Sequence, residues 1–575
     1  MARRGARPAL RLFAALAAMT VSMVAIVAQL IRLQIVDAAS LETLGAKQRV
    51  RSVTLPARRG TIYDRNMVPL AISIPARALY ANPHDVVNPE TTADALSVAL
   101  GIEKGLLLDR LTRDSSFVYL ARKVEVPLAT RVLALNLPGI GAFPETKRVY
   151  PQGTLGAQVV GFVGTDDTGL AGIEAGQDSV LAGVPGREVT EVDPNGHPIP
   201  HGRSAVTRPK AGKDVVLTID RNLQFATEDA LDRALLQTGA PRAAAVLIDP
   251  RTGEVLAMAN RPALDPQLFG SATPISIRNR VVQDAYEPGS VNKLITAAAA
   301  IEGGIALPSD VYSVPDHLAL FGKVFHDFAP HKTERWSYNE ILAHSSNIGT
   351  IKVAQQVGRS RLYAMLRKFG LGEPTRVGFP GESAGILTTP DKWSATDMAT
   401  IPIGQGIAVT PLQMAAVYAA IANNGVWTQP TLIKRLVADG KAQPRTKPVS
   451  RRVISSFTAA QLRGMLLGVV ETGTGKPARI SGYLIGGKTG TARVPLANAR
   501  GYSNQVMTTF IGIVPVESPR LVAAVVMDNP AAHIAAATAA PTWRNIVQFA
   551  LGFMRIPPSY GLDPADDRRN RSGTP

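Results

Sequence analysis

An apolar segment near the amino terminus is the first feature of the hydrophobic pattern. Residues 12–31 contain only three polar side chains, and this length is about what a helix needs to span a bilayer. Arginines precede it at positions 3, 4, 7 and 11, and the positive-inside tendency would keep the first residues cytoplasmic. The pattern therefore predicts a basic cytoplasmic segment at residues 1–11 and a transmembrane anchor at residues 12–33. A cleaved signal peptide is the alternative, but the run is longer than a usual signal core and residues 36–39 are a poor cleavage site.

Strand and helix patterns alternate through the later part of the chain. Period-two alternation and short apolar runs predict strands, and a period near 3.6 predicts helices. The predicted strands are 214–219, 243–248, 254–259, 508–514 and 520–527, and the predicted helices include 221–236 and 541–553. Because strands stand at both ends with helices between them, the pattern predicts an α+β domain whose terminal segments share one antiparallel sheet flanked by helices.

The region between the apolar segment and this domain has a looser pattern. Residues 75–207 mix short helices, such as 91–102, with loops rich in Gly and Pro. Scattered acids there are predicted to be solvated or paired rather than catalytic, namely Glu145, Asp166, Asp167 and Glu174. We expect an elongated, non-catalytic pedestal at residues 34–208, the α+β domain at residues 209–555 and a disordered polar tail at residues 556–575.

Length, charge and cysteine content narrow the class of protein. A chain of 575 residues is too long for one core, and its lack of cysteine excludes disulfides and thiolate metal sites. The net charge of +17 is spread along the chain in short Arg and Lys pairs, without zinc-finger spacing or an aromatic-interleaved basic motif. Proximity to an anionic membrane surface explains this charge more economically than nucleic acid, and no nucleic-acid partner is predicted.

Candidate chemistry begins at residues 286–293, with the sequence Tyr-Glu-Pro-Gly-Ser-Val-Asn-Lys. Pro and Gly break the preceding structure and an apolar run follows, so the pattern predicts a helix with Ser290 at its start and Lys293 one turn on. A lysine can take a proton from a serine hydroxyl only when it is neutral, which burial or a neighbouring cation favours. Taken alone, the pair is better explained as a helix N-cap beside a solvated lysine.

Two further clusters change that interpretation. Residues 344–347 are His-Ser-Ser-Asn in a predicted loop, and residues 486–492 are Gly-Gly-Lys-Thr-Gly-Thr-Ala in a predicted strand, where Lys488 would supply a permanent positive charge. The set Ser-x-x-Lys, Ser-x-Asn and Lys-Thr-Gly, in this order within one domain, is that of penicillin-binding proteins and serine β-lactamases. Each motif alone is weak evidence for this chemistry, and the three motifs in this order are strong evidence for it.

The middle motif has two possible positions, because Ser337 and Asn339 also match it. Glu340 follows Ser337 at the spacing of a capping box, so Ser337 is predicted to be the N-cap of the helix that leads to His344. The motif is therefore assigned to Ser345 and Asn347.

With these motifs the chain resembles a class B, monofunctional penicillin-binding protein of the division type, the penicillin-binding protein 3 family. The resemblance runs from the apolar segment to Phe553 and includes further patterns at residues 59–66, 404–413 and 471–475. There are two departures. Met67 stands where the first of these patterns usually has glycine, and residues 535–540 stand where related chains often carry a glycine pair.

The resemblance implies a membrane-anchored serine D,D-transpeptidase of peptidoglycan. Ser290 would attack the penultimate D-alanine of a stem peptide, with Lys293 as its base, the lysine pKa being lowered by burial and by Lys488. Ser345 would relay protons, and Asn347 would bond the substrate backbone and help to orient Lys293. The groups implied to hold the substrate are Lys488, Thr489, Gly490 and Thr491, and the N–H groups of Ser290 and Thr491 would form the oxyanion hole. No metal or other cofactor is implied.

The resemblance also implies partners and a location. The partners are peptidoglycan stem peptides of lipid II-derived glycan, the membrane, other divisome proteins, and a polytopic glycan polymerase of the shape, elongation, division and sporulation family. β-Lactams would act as inhibitors. The location is the inner membrane, with a cytoplasmic amino terminus and an extracytoplasmic catalytic domain.

Four alternatives share parts of this pattern: an elongation-type enzyme, a β-lactamase or D,D-carboxypeptidase, a β-lactam sensor, and a bifunctional synthase. The anchor and the long pedestal argue against a free hydrolase, and a single span with a short cytoplasmic segment argues against a sensor. Residues 36–207 are few for a glycosyltransferase domain and show no cluster of catalytic carboxylates. The modest pedestal favours the division type over the elongation type.

Overall fold

The helices follow the apolar periodicity of the sequence. The computed structural model describes residues 8–40, 49–193, 199–202, 204–444, 447–496 and 501–559. Within them, the helices of eight residues or more are α1 (Pro8–Ile31), α2 (Pro89–Leu100), α3 (Lys104–Leu111), α4 (Val126–Leu133), α5 (Arg221–Thr238), α6 (Lys293–Glu302), α7 (Asn347–Val357), α8 (Arg359–Lys368), α9 (Pro411–Ala422), α10 (Ser456–Glu471) and α11 (Ala539–Phe553).

The strands group into several sheets. They are β1 (Val50–Leu55), β2 (Ile62–Tyr63), β3 (Pro69–Ala81), β4 (Val118–Glu125), β5 (Ile140–Val149), β6 (Gly186–Glu191), β7 (Ser204–Thr207), β8 (Asp214–Leu217), β9 (Arg242–Ile248), β10 (Val255–Arg261), β11 (Val311–Val314), β12 (His317–Leu320), β13 (Lys323–His326), β14 (Glu334–Ser337), β15 (Val426–Thr428), β16 (Ile433–Ala438), β17 (Lys441–Ala442), β18 (Ser450–Arg452), β19 (Gly486–Pro495), β20 (Tyr502–Val514) and β21 (Leu521–Asp528).

By its internal contacts the chain divides into two units, residues 1–57 with 183–211 and residues 58–182 with 212–575. The first unit contains α1 and an antiparallel sheet of order β1-β6-β7. α1 and the turn after it form a helix of 29 residues (Pro8–Val36) with mean hydropathy 2.2, long and apolar enough to cross a membrane. The predicted anchor thus lies on a helix of suitable length, whereas residues 1–7 of the predicted cytoplasmic segment lie outside the described residues. The predicted domain boundaries stay predictions.

In the second unit, residues 58–182 are built on β3, a strand of 13 residues that pairs with both β4 and β5. Apolar side chains of α2, α3 and α4 bury this pairing, with Leu79, Leu96, Leu107 and Val132 all inaccessible to solvent. The sheet continues from β3 through β2, β8 and β16 to β17. Residues 58–182 therefore share a sheet with residues from the carboxyl-terminal part of the chain.

The four acids of this region are ion-paired, as the sequence predicted. Glu174 is fully buried between two arginines, with one carboxylate oxygen 2.6 Å from Arg59 Nε and the other 2.6 Å from Arg148 Nε. The remaining acids are less deeply buried and pair with basic residues, Glu145 and Asp166 with Arg122, and Asp167 with Lys123. Paired in this way, these carboxylates serve the structure of the pedestal segment.

Met67 occupies a left-handed backbone position, with φ of 66°. The turn is held by Asp64, whose Oδ1 accepts the N–H groups of Asn66 and Val68 at 2.8 Å each. A positive φ is costly for a residue with a side chain and costs glycine nothing. This explains why glycine is expected at position 67, and the turn forms here in spite of methionine.

The central sheet of the second unit has five strands in the order β10-β9-β21-β20-β19, all antiparallel. Alternate residues of β9 enter two hydrophobic clusters on opposite faces. Ala243, Ala245 and Leu247 pack with α5 and α11, and Ala244, Val246 and Ile248 pack with α6 and α9. Because helices cover both faces, the central strands carry long apolar runs, such as residues 243–248 of β9 and 521–527 of β21.

The α+β class and the sheet shared by the two ends of the domain are confirmed. The predicted helix 221–236 is α5 (Arg221–Thr238), and the predicted helix 541–553 begins two residues earlier as α11 (Ala539–Phe553). The predicted strand 214–219 ends at Leu217 and lies in the other sheet, beside β2 and β16. Of the predicted disordered tail, residues 560–575 lie outside the described residues.

Candidate active site

The segment that carries Ser290 packs closely on strand β19. Gly289 begins a short 3₁₀ turn (Gly289–Asn292) that leads into α6, and its φ of 56° is one that glycine adopts without strain. A Cβ atom on Gly289 would lie 2.9 Å from the Thr491 carbonyl oxygen, and a Cβ atom on Gly490 would lie 2.9 Å from the Pro288 carbonyl oxygen. The absent side chains let the turn approach the strand, which places Ser290 beside the Lys-Thr-Gly motif.

Lys293, the first residue of α6, is 1% exposed. Its ammonium donates to the Ser345 carbonyl oxygen at 2.5 Å and to Asn347 Oδ1 at 2.8 Å, and Ser345 Oγ lies 3.4 Å away. Burial lowers the pKa of Lys293 to about 7, although the negative charge of Asp327 opposes this shift. A substantial fraction of the amine is therefore neutral at neutral pH, as a proton acceptor must be.

Ser345 adopts a left-handed backbone conformation, with φ of 60°. This conformation turns its carbonyl oxygen to Lys293, while its hydroxyl accepts a hydrogen bond from Lys488 Nζ at 2.8 Å. Strained backbone of this kind persists only where surrounding contacts hold it, and it is common at functional sites. The structure brings the Ser-x-Asn motif and both lysines into one hydrogen-bonded group.

Lys488 lies on β19 and is inaccessible to solvent. Besides Ser345, its ammonium contacts the Thr489 carbonyl oxygen at 3.1 Å. Burial lowers the pKa of Lys488 well below its usual value, and the nearby Lys293 lowers it further. Burial and the nearby Lys293 thus oppose the permanent positive charge expected for Lys488, because two buried amines disfavour a second proton.

Asn347 belongs to a helix rather than to the predicted loop. Ser346 is the N-cap of α7 and accepts the Gly349 N–H, so Asn347 is the first helical residue and Ser345 the last residue of the loop. The other candidate for the middle motif, Ser337, caps a short helix (Tyr338–Ala343) and forms the predicted capping box with Glu340. That part of the sequence interpretation is confirmed.

Asp327 is a buried acid of this site that the sequence did not reveal. Its Oδ1 accepts the N–H groups of Asn347 at 2.5 Å and Ile348 at 3.0 Å, and its Oδ2 accepts the Ser346 hydroxyl at 2.6 Å. A carboxylate at a helix N-terminus is favourable, since the free N–H groups there carry partial positive charge. Asp327 thus fixes the start of α7 and also places a negative charge near Lys293.

The threonines of the Lys-Thr-Gly strand line the cleft. Thr489 and Thr491 both face it, and the Thr489 hydroxyl lies 2.7 Å from the hydroxyl of Thr474. Gly490 points the other way in the strand and packs on Pro288 and Val291. Two hydroxyl groups on one face of a strand, next to a buried lysine, form a favourable environment for a carboxylate.

The cleft has a volume of about 270 Å³. Its lining includes Ser290, Ser345 and Asn347, together with Phe328, Gln405 and Ile534. A serine hydroxyl, a buried amine with a pKa near 7 and a second lysine beside two threonines suit acyl transfer through a serine ester. Among the described residues, no group of three or more His, Asp or Glu side chains is arranged to hold a metal ion.

Two protein-family models match the chain. The penicillin binding protein transpeptidase domain matches residues 243–548, which include the whole cleft. The penicillin-binding protein dimerisation domain matches residues 54–217.

Relatives match over nearly the full length. Penicillin-binding protein PbpB of Mycobacterium tuberculosis is 37% identical, with 95% of this chain and 85% of the relative covered. Peptidoglycan D,D-transpeptidase FtsI of Escherichia coli is 32% identical, with 92% of this chain and 89% of the relative covered. The crystal structure of penicillin binding protein 3 from Mycobacterium tuberculosis, complexed with aztreonam, is similar with a TM-score of 0.71 and 34% identity, and 89% of this chain and 99% of that chain are covered.

Proposed function

The chain belongs to the class B penicillin-binding proteins and is a peptidoglycan D,D-transpeptidase, and we propose that it cross-links stem peptides during septal wall synthesis through an acyl-enzyme on Ser290. One observation carries the assignment of the site. The buried amines of Lys293 and Lys488 both lie within hydrogen-bond distance of the Ser345 hydroxyl, beside a cleft that Ser290 lines. This arrangement supplies a proton acceptor and a route for the proton next to a nucleophile.

In the first step, the Ser290 hydroxyl attacks the carbonyl carbon of the penultimate D-alanine. Neutral Lys293 accepts the hydroxyl proton, and the bond between Ser290 Oγ and the carbonyl carbon forms as the peptide C–N bond breaks. Lys293 then passes this proton through Ser345 to the leaving D-alanine amine, so Lys293 is neutral again when the acyl-enzyme has formed. Backbone N–H groups of Ser290 and Thr491 stabilise the oxyanion.

In the second step, the amine of a neighbouring stem peptide attacks the ester and the same groups work in reverse. Lys293 takes a proton from the attacking amine through Ser345 and passes it to Ser290 Oγ as the ester bond breaks, and a peptide cross-link forms. Lys488, Thr489 and Thr491 hold the terminal carboxylate of the donor peptide before the first step, and Asn347 holds the substrate backbone and Lys293. A carboxylate beside Lys488 favours the protonated lysine, so the cation forms when substrate binds.

β-Lactams would acylate Ser290 as well, because their strained amide bond takes the place of the scissile peptide bond. The aztreonam complex of the similar Mycobacterium tuberculosis protein supports this extension. Labelling with a fluorescent penicillin tests it directly: the wild type should be labelled, and Ser290→Ala should not be. Equal labelling of both proteins would refute Ser290 as the nucleophile.

The lifetime of the acyl-enzyme separates transpeptidase from hydrolase. A transpeptidase should hold the penicilloyl group for hours, because water is a poor substitute for the acceptor amine in its site. A lifetime of seconds would favour the β-lactamase or D,D-carboxypeptidase alternative.

The septal role, the membrane orientation and the protein partners belong to the proposal. FtsI of Escherichia coli and the Mycobacterium tuberculosis proteins support the division type, and the basic residues before α1 support a cytoplasmic amino terminus. A polytopic glycan polymerase of the shape, elongation, division and sporulation family and other divisome proteins would then act with the chain. Depletion should give filamentous cells, and round cells would indicate the elongation type instead.

A further inference from the structure

Glu287 connects three segments of the cleft. It lies three residues before Ser290, and its Oε1 accepts the Gly406 N–H at 2.9 Å and the Tyr502 hydroxyl at 3.2 Å. Gly406 belongs to the turn after residue 403, and Tyr502 begins strand β20, which pairs with β19. A single carboxylate oxygen therefore holds the segment of the nucleophile, this turn and the hairpin of the Lys-Thr-Gly strand together.

The turn at residues 404–406 packs on the nucleophile segment through its backbone. Gly289 N–H donates to the Gly404 carbonyl oxygen at 3.0 Å, and a Cβ atom on Gly404 would lie 2.1 Å from the Gly289 carbonyl oxygen. Asn292 Nδ2 donates to the Ile401 carbonyl oxygen at 2.8 Å, just before the turn. These contacts fix the base of the turn, and Glu287 fixes its far end at Gly406.

Gln405 stands between those two fixed glycines. Its backbone N–H donates to the Thr400 carbonyl oxygen at 3.0 Å, and its residue lines the cleft with Ser290 and Thr491. Among the described residues, its side-chain amide has no hydrogen-bond partner. A primary amide carries both donors and an acceptor, so it matches the peptide groups of an extended chain in the cleft.

We propose that Gln405 is a specificity-determining contact to a peptide group of the bound stem peptide, and that Glu287 is the positioning residue that holds Gln405 in the cleft. The inference rests on the proposed acylation of Ser290. Gln405 contacts substrate away from the lysines, so its loss weakens binding more than it slows the chemical step. Glu287 acts on substrate binding through the backbone of the turn that carries Gln405, and the two residues should therefore be coupled.

The test uses the full-length protein in detergent and a thioester analogue of the D-alanyl-D-alanine terminus as the probe, with KM and kcat measured separately. Gln405→Ala and Glu287→Ala should each raise KM about tenfold with little change in kcat, as expected for loss of one substrate hydrogen bond. The double variant should be no worse than Gln405→Ala. Glu287→Gln, whose amide oxygen can still accept both hydrogen bonds, should keep KM within about threefold of wild type.

Several results would overturn the inference. They are an unchanged KM in Gln405→Ala, additive effects of about a hundredfold in the double variant, or a Glu287→Gln variant as impaired as Glu287→Ala. Glu382→Ala is the matched control, because Glu382 accepts the Thr375 and Arg376 N–H groups in a loop outside the cleft. It should leave KM unchanged.

Two further variants keep the test decisive. If Glu287→Ala does not fold, Tyr502→Phe removes only one hydroxyl from Glu287 and should raise KM about threefold. Ser290→Ala reports on the proposed function separately. Turnover by Ser290→Ala would refute the nucleophile, whereas normal KM in the Gln405 and Glu287 variants with an inert Ser290→Ala would refute only this inference.

Discussion

The Lys488 ammonium lies 2.8 Å from the Ser345 hydroxyl, so the Lys-Thr-Gly strand is bound directly to the Ser-x-Asn motif. The same hydroxyl is 3.4 Å from Lys293 Nζ. Two ammonium groups so close together repel, and burial disfavours charge on both, so a second proton on the pair is disfavoured. The lowered pKa of Lys293 sets the pH dependence expected of the enzyme.

Acylation should therefore slow as the pH falls below about 7, the pKa to which burial lowers Lys293. The neutral amine is the proton acceptor, and protonation removes it, so the rate should fall about tenfold per pH unit on the acid side. The check is the rate of penicillin acylation from pH 5 to 9. Lys293→Ala should be nearly inactive throughout, and a normal rate in that variant would mean that another base operates.

Replacing Asp327 by Asn should move this acid limb to lower pH. The Asp327 charge opposes the lowering of the Lys293 pKa, so its removal should let that pKa fall further. The variant should also lose about 1–3 kcal/mol of unfolding free energy, because the N–H groups at the start of α7 lose a buried anionic acceptor. Acylation profiles and urea unfolding measure the two effects.

The matched control for Asp327 is Glu334→Gln, which neutralises an exposed acid on β14. It should change neither the pH profile nor the unfolding free energy. An acid limb at unchanged pH in Asp327→Asn would show that the carboxylate does not act on Lys293.

Ser290 and Asp327 differ in whether their place in the site could be predicted from the sequence. Ser290 and Lys293 are one helical turn apart. Their spacing, together with the two later motifs, was enough to identify them from the sequence as candidate catalytic residues. Asp327 reaches the site from a loop after β13, and no spacing in the sequence connects it to Asn347. Such a contact depends on tertiary packing, which periodicity and local motifs do not encode.

The charge state of Lys488 could not be predicted from the sequence, for a related reason. The motif shows that a lysine stands on a strand, but its pKa depends on burial and on the distance to Lys293. The five-stranded sheet could be predicted more fully from the sequence. The apolar runs at both ends of the domain need helices on both faces of a sheet to bury them. The departure at Met67 was noted only through the family resemblance, and the φ of 66° that explains the usual glycine comes from the structure.

The Ser345 hydroxyl should be needed for acylation, so every replacement that removes it should slow acylation. The free energy of unfolding should instead depend on which residue replaces Ser345. Ser345→Ala and Ser345→Gly both remove the hydroxyl and should slow acylation at least about a hundredfold. Ser345→Gly should be more stable than Ser345→Ala by about 1 kcal/mol, because φ is 60° and glycine adopts it without strain. Acylation kinetics and urea unfolding test the pair, and a fast Ser345→Ala enzyme would exclude the hydroxyl as a proton route.

Met67→Gly should stabilise the second unit by about 1 kcal/mol without changing acylation. The backbone at position 67 has φ of 66°, and the side chain is 42% exposed, so little packing is lost. Met67→Ala is the control, since it also removes the sulfur near Arg435 but keeps the strained conformation. A glycine variant no more stable than the alanine variant would show that the turn carries no strain worth relieving.

Binding of a carboxylate in the cleft should draw a proton from solution. Burial and Lys293 hold the pKa of Lys488 well below its usual value, and a bound anion opposes that shift and favours the ammonium. Benzylpenicillin binding to Ser290→Ala, which cannot be acylated, should take up as much as about one proton at pH 8, measured by calorimetry in buffers of different ionisation enthalpy. Lys488→Met in the same background should abolish the uptake, because it removes the amine and keeps an unbranched side chain. Uptake that persisted in the methionine variant would place the titrating group elsewhere, and no uptake in either protein would mean that Lys488 is already charged before the carboxylate arrives.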